Sequence, residues 1–253
     1  MVNVIMHGCN GRVGQFITSL VKDDPNMEIV AGVDKYDDGH NAYPVFAEIG
    51  QCDVAADVII DFSNSSAVDA LLDYSVSKNI PVVLCTTGLS EEQLAKVQDA
   101  SAKVAVLRSA NMSLGVNLLL KMVKEAAAVL DPAGFDIEIV EKHHRHKLDA
   151  PSGTAIALAE SINDELGGDY EFVFDRSGRR MERPKKEIGI SAVRGGSIVG
   201  DHDVIYAGTD EVITISHTAY SRTVFAKGAI EAARFLAGKG PGLYSMSDVI
   251  EGN

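Results

Sequence analysis

Residues 2–14 read VNVIMHGCNGRVG, a short apolar run that leads directly into a turn with glycines at positions 8, 11 and 14. The pattern predicts a strand at Val2–His7 and a helix at Arg12–Val21. Glycine lets the backbone approach a pyrophosphate closely, and the start of the following helix offers free N–H groups to that anion. The segment therefore favours dinucleotide binding. The alternative is a glycine-rich turn without a ligand, because the spacing is GxxGxxG rather than GxGxxG.

Short apolar runs and helical patterns continue to alternate as far as Asn111. Strands are predicted at residues 28–33, 58–62, 81–85 and 104–107, with helices at Ser65–Lys78 and after the capping-box segment SEEQ at 90–93. Strands that alternate with helices are typical of a parallel sheet with helices on both faces. We therefore predict a Rossmann-like parallel domain for this part of the chain.

After Asn111 the pattern changes. A long helix is predicted at Leu114–Leu130, a strand at 135–141, a helix at 154–166, and three runs that look antiparallel at 188–193, 198–206 and 211–217. Gly208-Thr209-Asp210 predicts a hairpin turn between the last two runs. The final helix, at 224–237, fits either block on pattern alone. We predict an α/β protein whose second domain is α+β with a mixed or antiparallel sheet.

Asp34 follows the second predicted strand, 20 residues after Gly14. A carboxylate at that place accepts hydrogen bonds from the adenosine ribose of a dinucleotide. Asp34 can also be a solvated loop residue, since Lys35 and two further aspartates follow. The carboxylate repels the 2′-phosphate of NADPH, whereas the Lys35 ammonium attracts it. We therefore expect both cofactors to be used, with NADH preferred.

Two further loops follow predicted strands of the same sheet, with the sequences CTTG at 85–88 and SANMS at 109–113. Ligands of open α/β sheets bind outside the carboxyl ends of the strands. Small hydroxyl and amide side chains at that edge can bind a nicotinamide carboxamide or a ribose, or can simply cap the next helix. Local sequence leaves both interpretations open.

The chain of 253 residues carries a net charge of −13, with 46% apolar and 23% charged residues. So acidic a protein repels nucleic acid and anionic membrane surfaces, and we expect neither as a partner. Cys9, Cys52 and Cys85 are odd in number and widely spaced, which indicates a reducing compartment without disulfides. With no apolar run of membrane-spanning length and no signal-peptide pattern, the expected location is the cytoplasm.

Residues 142–147, KHHRHK, gather three histidines, one arginine and two lysines in this acidic chain. Such a cluster attracts an anionic substrate and supplies groups that transfer protons near neutral pH. Strand alternation, if it persists so far, places Glu141 and His143 on one face and His144 on the other. The segment PSGT at 151–154 then starts a helix whose hydroxyls and N–H groups suit a carboxylate. Together the two segments predict a small dicarboxylate substrate.

Two other interpretations of the histidine cluster are disfavoured. The histidines lack the i, i+4 spacing of HExxH and have no cysteine nearby, so we expect no bound metal. A solvated basic loop is the usual fate of a charge run, but here three histidines directly precede a helix N-cap signal. A second basic stretch, at 176–186, has acidic residues interspersed and is predicted to be a solvated, mobile loop.

The run HHRHKLDAPSGTA at 143–155 closely resembles the signature of the 4-hydroxy-tetrahydrodipicolinate reductase (dihydrodipicolinate reductase) family of diaminopimelate and lysine biosynthesis. The resemblance extends along the whole chain through GCNGRVG at Gly8, DFSNSSA at Asp61, TTG at Thr86 and SANMSLGVN at Ser109. It implies a dinucleotide-binding domain at residues 1–112 and 221–253. It also implies an inserted domain at 113–220 that binds substrate and forms a homotetramer.

The resemblance also implies roles for individual residues. His143 resembles the family's catalytic histidine and Lys147 its catalytic lysine. Substrate-binding positions are matched by His144, Gly153 and Thr154. Cofactor-binding positions are matched by Gly8, Cys9, Asn10, Gly11, Arg12, Val13, Asp34, Cys85, Thr86, Thr87, Ser109, Ala110, Asn111 and Met112. Cys85 is a departure, because the family often has glycine there.

The implied reaction is reduction of 4-hydroxy-tetrahydrodipicolinate to tetrahydrodipicolinate, in which nicotinamide hydride adds to an unsaturated, nitrogen-containing ring that bears two carboxylates. Either His143 delivers the required proton as a general acid, or Lys147 supplies it. In the first case Lys147 stabilises developing negative charge and holds a carboxylate. Another Rossmann-type dehydrogenase for a small anionic substrate would not need the histidine-rich run, and an NAD(H)-binding regulator would leave it unexplained.

Overall fold

The structure is a computed structural model that describes residues 1–252; Asn253, which the sequence analysis places in the first domain, lies outside the described residues. The strands are β1 (Val2–His7), β2 (Met27–Val33), β3 (Val45–Phe46), β4 (Val58–Asp61), β5 (Val82–Leu84), β6 (Ala105–Arg108), β7 (Asp136–His143), β8 (Glu171–Val173), β9 (Glu187–Arg194), β10 (Gly200–Ala207), β11 (Val212–Ala219) and β12 (Gly242–Tyr244). The helices are α1 (Arg12–Val21), α2 (Ser65–Lys78), α3 (Glu91–Ser101), α4 (Leu114–Leu130), α5 (Gly153–Glu165), α6 (Thr223–Leu236) and α7 (Met246–Glu251). Within this described part, every helix is too short or too polar to cross a bilayer.

Residues 1–114 and the chain from Thr223 onward form one compact unit. Its seven-stranded sheet is parallel throughout and has the order β12-β6-β5-β4-β1-β2-β3. The strand order reverses between β1 and β4, and ligands of such sheets bind in the crevice at the carboxyl ends of the strands flanking that point. The predicted Rossmann-like parallel sheet is confirmed.

Helices cover both faces of this sheet. α2 and α3 pack on one face, and α1 and α6 pack on the other. α6 approaches closely because its inward side chains are small, among them Ala226, Ala229 and Ala233. A Cβ on Gly228 would lie 1.6 Å from the Met112 carbonyl oxygen, so glycine is required where the chain beyond β6 touches the helix. The final helix, whose place the pattern left open, therefore belongs to this unit.

Residues Gly115–Arg222 form the second compact unit, built on a mixed five-stranded sheet in the order β11-β10-β7-β9-β8. α4 and α5 pack on one face of the sheet, against Ile137 and Ile139 of β7 and Val204 and Tyr206 of β10. In the central strand β7, alternate residues are buried as far as His143, which confirms the predicted alternation. The predicted second, α+β block with a mixed sheet is also confirmed.

One strand pairing differs from the sequence prediction. β10 and β11 are antiparallel and joined at Gly208, as predicted. The prediction that the run at 188–193 is antiparallel was wrong, because β9 pairs in parallel with β7 and with β8. A strand with one buried face has a period of two in either direction, so the pattern carries no information about orientation.

Most residues of the basic stretch at 176–186 are exposed and irregular, as predicted, but three of its arginines bind carboxylates, which was not predicted. Arg176 and Arg183 both bind the Glu138 carboxylate, and Arg179 binds Glu187 at 2.7 Å. Arg183 also donates to the carbonyl oxygens of residues 137 and 187. Glu187 directly follows the stretch as the first residue of β9, whereas Glu138 lies on β7, far away in sequence, so a charge run in isolation could not reveal that second partner.

Candidate active site

A cavity of about 620 Å³ opens in the first unit at the point where the strand order reverses. Its walls come from the segments that follow β1, β2 and β4, together with residues of α2. Among the predicted cofactor residues, those that line it are Gly8, Gly11, Asp34 and Lys35. The cavity therefore brings together the glycine turn and the acidic residue that the sequence analysis singled out separately.

The glycine turn needs glycine for two physical reasons. Gly8 has φ +83°, and a Cβ there would lie 2.5 Å from the Phe62 carbonyl oxygen. A Cβ on Gly14 would lie 2.3 Å from the carbonyl oxygen of Gly8, inside the turn itself. Helix α1 begins after Gly11, which offers no side chain to cap its first N–H groups. These donors and the positive end of the helix dipole suit a pyrophosphate.

Asp34 is held in a fixed orientation beside this turn. Its Oδ2 accepts the Asn10 N–H at 3.0 Å, and its Oδ1 accepts the Tyr36 N–H at 3.2 Å. Each carboxylate oxygen keeps a further lone pair, which suits the two hydroxyls of a ribose. Lys35 is exposed. The residues present therefore fit an adenine dinucleotide bound across the carboxyl ends of β1 and β2.

A polar cluster that was not predicted from the sequence includes two residues that line the cavity, His7 and Ser63. His7 Nδ1 is 2.8 Å from Asp61 Oδ1, and both side chains are buried. Asp61 also accepts the hydroxyls of Ser63 and Thr86, each at 2.6 Å. The hydroxyl of Thr86, which was predicted to contact the cofactor, thus donates its hydrogen bond to Asp61. The sequence feature that could have revealed this cluster is a histidine at the end of β1 together with an aspartate at the end of β4. These two strands are adjacent in the sheet.

The other predicted cofactor residues do not line the cavity. They are Cys9, Asn10, Arg12, Val13, Cys85, Thr86, Thr87, Ser109, Ala110, Asn111 and Met112. Burial raises the pKa of the Cys9 thiol to about 12, so this side chain stays neutral inside the glycine turn. The Cys85 pKa is raised well above its usual value by burial, then by Asp61. Met112 belongs to the apolar core.

In the second unit, β7 places Glu141 and His143 on its buried face. His143 Nδ1 lies 2.6 Å from Glu141 Oε2. Arg194 binds both Glu141 oxygens, at 2.7 Å each, and the Ser152 N–H donates to Oε1 at 2.9 Å. Burial alone would raise the pKa of Glu141, but the hydrogen bonds from Arg194, His143 and Ser152 together lower it. A buried, ionised carboxylate therefore holds the predicted catalytic histidine.

His202 of β10 packs edge-on against the His143 ring, with 5.2 Å between the ring centroids. Its Nε2 lies 2.9 Å from the Ser152 hydroxyl oxygen. Burial, and then the charge of His143, lowers the pKa of His202 to about 4, so this imidazole is neutral at physiological pH. His202 is therefore a neutral neighbour of His143 and not a second cation.

The turn after β7 holds the remaining residues of the cluster. Lys147 Nζ lies 2.9 Å from Asp149 Oδ1, and the hydrogen bond from this lysine lowers the pKa of Asp149. His144 is half-buried, and its Nδ1 has no hydrogen-bond partner among the described residues. Arg145 is exposed. The segment thus places one lysine and one unsatisfied imidazole atom close to His143 in sequence.

Ser152 caps α5, because its hydroxyl oxygen accepts the Ala155 N–H at 3.1 Å. The expectation that Ser152 offers its N–H to a ligand carboxylate was wrong, since Glu141 already accepts that donor. Gly153, the first residue of α5, has open space where a Cβ would be, and Thr154 follows it. The anion site predicted at this helix start is therefore confined to Gly153 and Thr154.

Sequence reasoning missed two residues of this cluster, Arg194 and His202. Strand pairing places both residues in the cluster. Arg194 of β9 is paired with His143, and His202 of β10 is paired with Glu141. Among the described residues, no three His, Cys, Asp or Glu side chains are grouped so as to hold a metal ion. The cluster offers a proton-transfer group and anion-binding donors within one unit.

Comparisons with known proteins agree over the full length. Residues 2–112 match the family profile described as "Dihydrodipicolinate reductase, N-terminus", and residues 115–250 match its C-terminus. The 4-hydroxy-tetrahydrodipicolinate reductases of Caldanaerobacter subterraneus subsp. tengcongensis and Clostridium novyi are 52% and 51% identical over 251 residues, with 99% of every chain covered. The dipicolinate-bound dihydrodipicolinate reductase of Paenisporosarcina sp. TG-14 superposes with a TM-score of 0.82 at 25% identity, covering 97% of both chains. The chain belongs to the dihydrodipicolinate reductase family.

Proposed function

We propose that the protein catalyses the NAD(P)H-dependent reduction of 4-hydroxy-tetrahydrodipicolinate to tetrahydrodipicolinate, in which one hydride and one proton are added and the 4-hydroxyl group leaves as water, a step of diaminopimelate and lysine biosynthesis. The observation that carries the proposal is the buried His143 imidazole, held by an ionised carboxylate in the segment that also presents Lys147 and the start of α5. This set combines a proton-transfer group with donors for an anionic substrate. Membership of the family supports the same activity.

We assign cofactor binding to the first unit and substrate binding to the second. A bound nicotinamide cofactor supplies hydride, and the glycine turn with Asp34 supplies the groups that hold its pyrophosphate and ribose. Cys85 to Thr87 and Ser109 to Met112, at the carboxyl ends of β5 and β6, are assigned to the nicotinamide side. The cytoplasm is the proposed location, since all three cysteines are free thiols, as expected in a reducing compartment.

The substrate proposal concerns residues His144, Lys147, Gly153 and Thr154. The relative from Paenisporosarcina is dipicolinate-bound, and dipicolinate is a planar ring with two carboxylates. In our assignment one carboxylate lies at the start of α5, at Gly153 and Thr154, where helix N–H groups favour an anion. Lys147 leaves Asp149 and binds the other carboxylate, and the unsatisfied Nδ1 of His144 is available to the same ligand.

The proton required after hydride addition comes from His143 or from Lys147. The favoured donor is His143, because an adjacent buried carboxylate holds its ring in a fixed orientation. Lys147, whose ammonium is paired to Asp149, then stabilises negative charge that develops on the substrate. Closure of the site around the substrate would exclude water from both groups.

Oxidation of NADH with the freshly generated product of dihydrodipicolinate synthase tests the activity directly. The expected result is rapid oxidation that depends on that product. Turnover of a different small anionic substrate would indicate another Rossmann-type dehydrogenase. Cofactor binding without turnover of any candidate would indicate a regulator. Either of these results contradicts the proposal.

We predict that both cofactors work and that NADH has the higher kcat/KM. Asp34 is oriented by two backbone N–H groups, and a charge-assisted hydrogen bond to a ribose exceeds the screened attraction between exposed Lys35 and a 2′-phosphate. Asp34→Ala should impair NADH use, and Lys35→Ala should impair NADPH use. Added salt should widen the lead of NADH, because it weakens the contribution of Lys35.

Titration of both cofactors at low and high salt checks this prediction. Lys103→Ala is a matched control, because Lys103 is also an exposed lysine of the first unit but lies away from the cavity. It should leave the ratio of NADH to NADPH use unchanged. A wild-type preference for NADPH would show that Lys35 outweighs Asp34.

We propose a homotetramer assembled through the second unit. β11 is an edge strand of its sheet, and every one of its residues is at least partly exposed. Val212 and Ile213 are 62% and 39% exposed. Apolar residues on a long exposed edge are normally covered by a partner. Light scattering should give four times the mass of the 27.0 kDa chain, and a stable monomer at micromolar concentration contradicts the assignment.

A further inference from the structure

Four nitrogen atoms contact the Glu141 carboxylate, whose side chain has no solvent exposure. Oε1 accepts from Ser152 N–H and Arg194 Nη2, and Oε2 accepts from Arg194 Nη1 and faces His143 Nδ1. A guanidinium and a backbone N–H can only donate, so three of these contacts have a fixed direction. Only the contact with His143 has a direction that depends on where the protons lie.

The direction of that fourth contact follows from the charge on the carboxylate. The hydrogen bonds to Glu141 hold its pKa below the usual value in spite of burial, so the carboxylate has no proton to donate. His143 Nδ1 must therefore be the donor and carry a hydrogen. Nε2 is then the ring atom that gains or loses the proton.

The backbone of β10 lies close to the other end of the ring. Gly200 is the first residue of β10, and a Cβ there would lie 3.0 Å from His143 Nε2. A side chain at this position would crowd Nε2, and glycine avoids that contact. His202 beside the ring is neutral at physiological pH and so does not repel an incoming proton.

We propose that Glu141, held by Arg194 and the Ser152 amide, is a positioning residue that keeps a hydrogen on His143 Nδ1 and presents Nε2 as the atom that exchanges a proton with the substrate. The Ser152 amide belongs to the N-cap of α5, so one carboxylate connects the proton-transfer group to the helix start assigned to the substrate. The proposal rests on the proposed function for its catalytic meaning, but the hydrogen position in the free protein is independent of turnover.

Glu141→Gln changes the hydrogen-bonding pattern in a predictable way. One carboxylate oxygen becomes an NH₂ group, which cannot accept from any of the four donors. At the Oε1 position it would face two obligate donors, Ser152 N–H and Arg194 Nη2. At the Oε2 position it faces Arg194 Nη1 and His143 Nδ1, and the imidazole can adapt by moving its hydrogen to Nε2. The substitution should therefore switch the tautomer of His143.

Nitrogen-15 NMR of histidine-labelled protein at alkaline pH, where imidazoles are neutral, measures this directly. His143→Gln identifies the His143 signals, because it removes them. The expected result is a hydrogen on Nδ1 in the wild type and on Nε2 in Glu141→Gln. A wild-type protein with its hydrogen on Nε2 overturns the proposal, and this measurement requires no variant of Glu141 to fold.

Kinetics give the second part of the test. Glu141→Gln should lower kcat by roughly 10²- to 10⁴-fold, as when a catalytic histidine is held in the wrong tautomer, with little change in the KM for NADH. A loss of kcat with an unchanged tautomer overturns the proposal, because the loss then does not act through His143. Wild-type kcat in Glu141→Gln overturns it as well.

Glu138→Gln is the matched control, because Glu138 also lies on β7 and binds an arginine, Arg176, but is on the opposite face from His143. It should change neither the tautomer nor kcat. If the wild type fails to turn over the proposed substrate, the proposed function fails, while the wild-type tautomer still decides the positioning role of Glu141.

Discussion

Replacing His143 with glutamine lowers kcat by roughly 10²- to 10⁴-fold, the loss that follows removal of a general acid. Glutamine occupies a similar volume and can still form a hydrogen bond near Glu141, but it cannot hold and release a proton at neutral pH. The side chain is buried in the second unit and does not line the cavity, whose residues all belong to the first, so NADH binding should be almost unchanged.

Steady-state rates and a fluorescence titration of NADH check the two halves of this prediction. His40→Gln is a suitable control, because it makes the same change at a histidine whose side chain is 76% exposed. It should leave kcat at the wild-type value. Near-normal kcat in His143→Gln would transfer the proton-donor role to Lys147.

Periodicity and capping predicted the longer elements of the fold because each carries its own signal. The bounds of α2 and α4 agree with the structure, and the capping box at Ser90 is present. The strands β3, β8 and β12 were missed. They have two or three residues each, too few to show alternation, and they exist because a neighbouring strand offers hydrogen-bonding groups.

The candidate site was predictable to the extent that its residues are consecutive in sequence. His143 and Lys147 stand out because basic residues are concentrated in an acidic chain, and the partnership of Glu141 with His143 follows from strand alternation. Arg194 and His202 could not be found in that way, since they reach Glu141 and His143 only through the registers of β9 and β10. Lone residues in separate strands carry no signal of their contact until the order of strands is known.

The same limit explains two sets of polar contacts that were not predicted. Arginines of residues 176–186 bind Asp136 and Glu138 of β7, which lie far away in sequence, as well as Glu187, which directly follows the stretch. Ser152 looked available to a ligand because its contact with Glu141 joins a strand to a helix start 11 residues later. In both cases a donor that has no obvious partner in the sequence is satisfied by a carboxylate on β7.

Replacing Lys147 with alanine lowers kcat and raises the KM for substrate, which distinguishes it from the His143 change. In the free protein the Lys147 ammonium binds Asp149, whose side chain is 59% exposed, so a substrate carboxylate can take the place of this aspartate at little cost. A charge-assisted hydrogen bond contributes about 1.5 to 3 kcal/mol, or roughly 10- to 150-fold in affinity. We expect KM to rise within that range, and kcat to fall as well because negative charge on the substrate increases in the transition state.

Initial rates over a range of substrate concentrations, with calorimetric titration of dipicolinate, measure the two effects separately. The affinity for dipicolinate should fall in parallel with the rise in KM, because both ligands present a carboxylate to the same ammonium. Asp149→Asn should not raise KM, since it removes only the competing anion. Lys124→Ala, which breaks the surface pair with Glu165 in the same unit, should change neither quantity. If Lys147→Ala lowers kcat but leaves KM and dipicolinate affinity at their wild-type values, Lys147 acts only on the transition state and does not bind the substrate carboxylate.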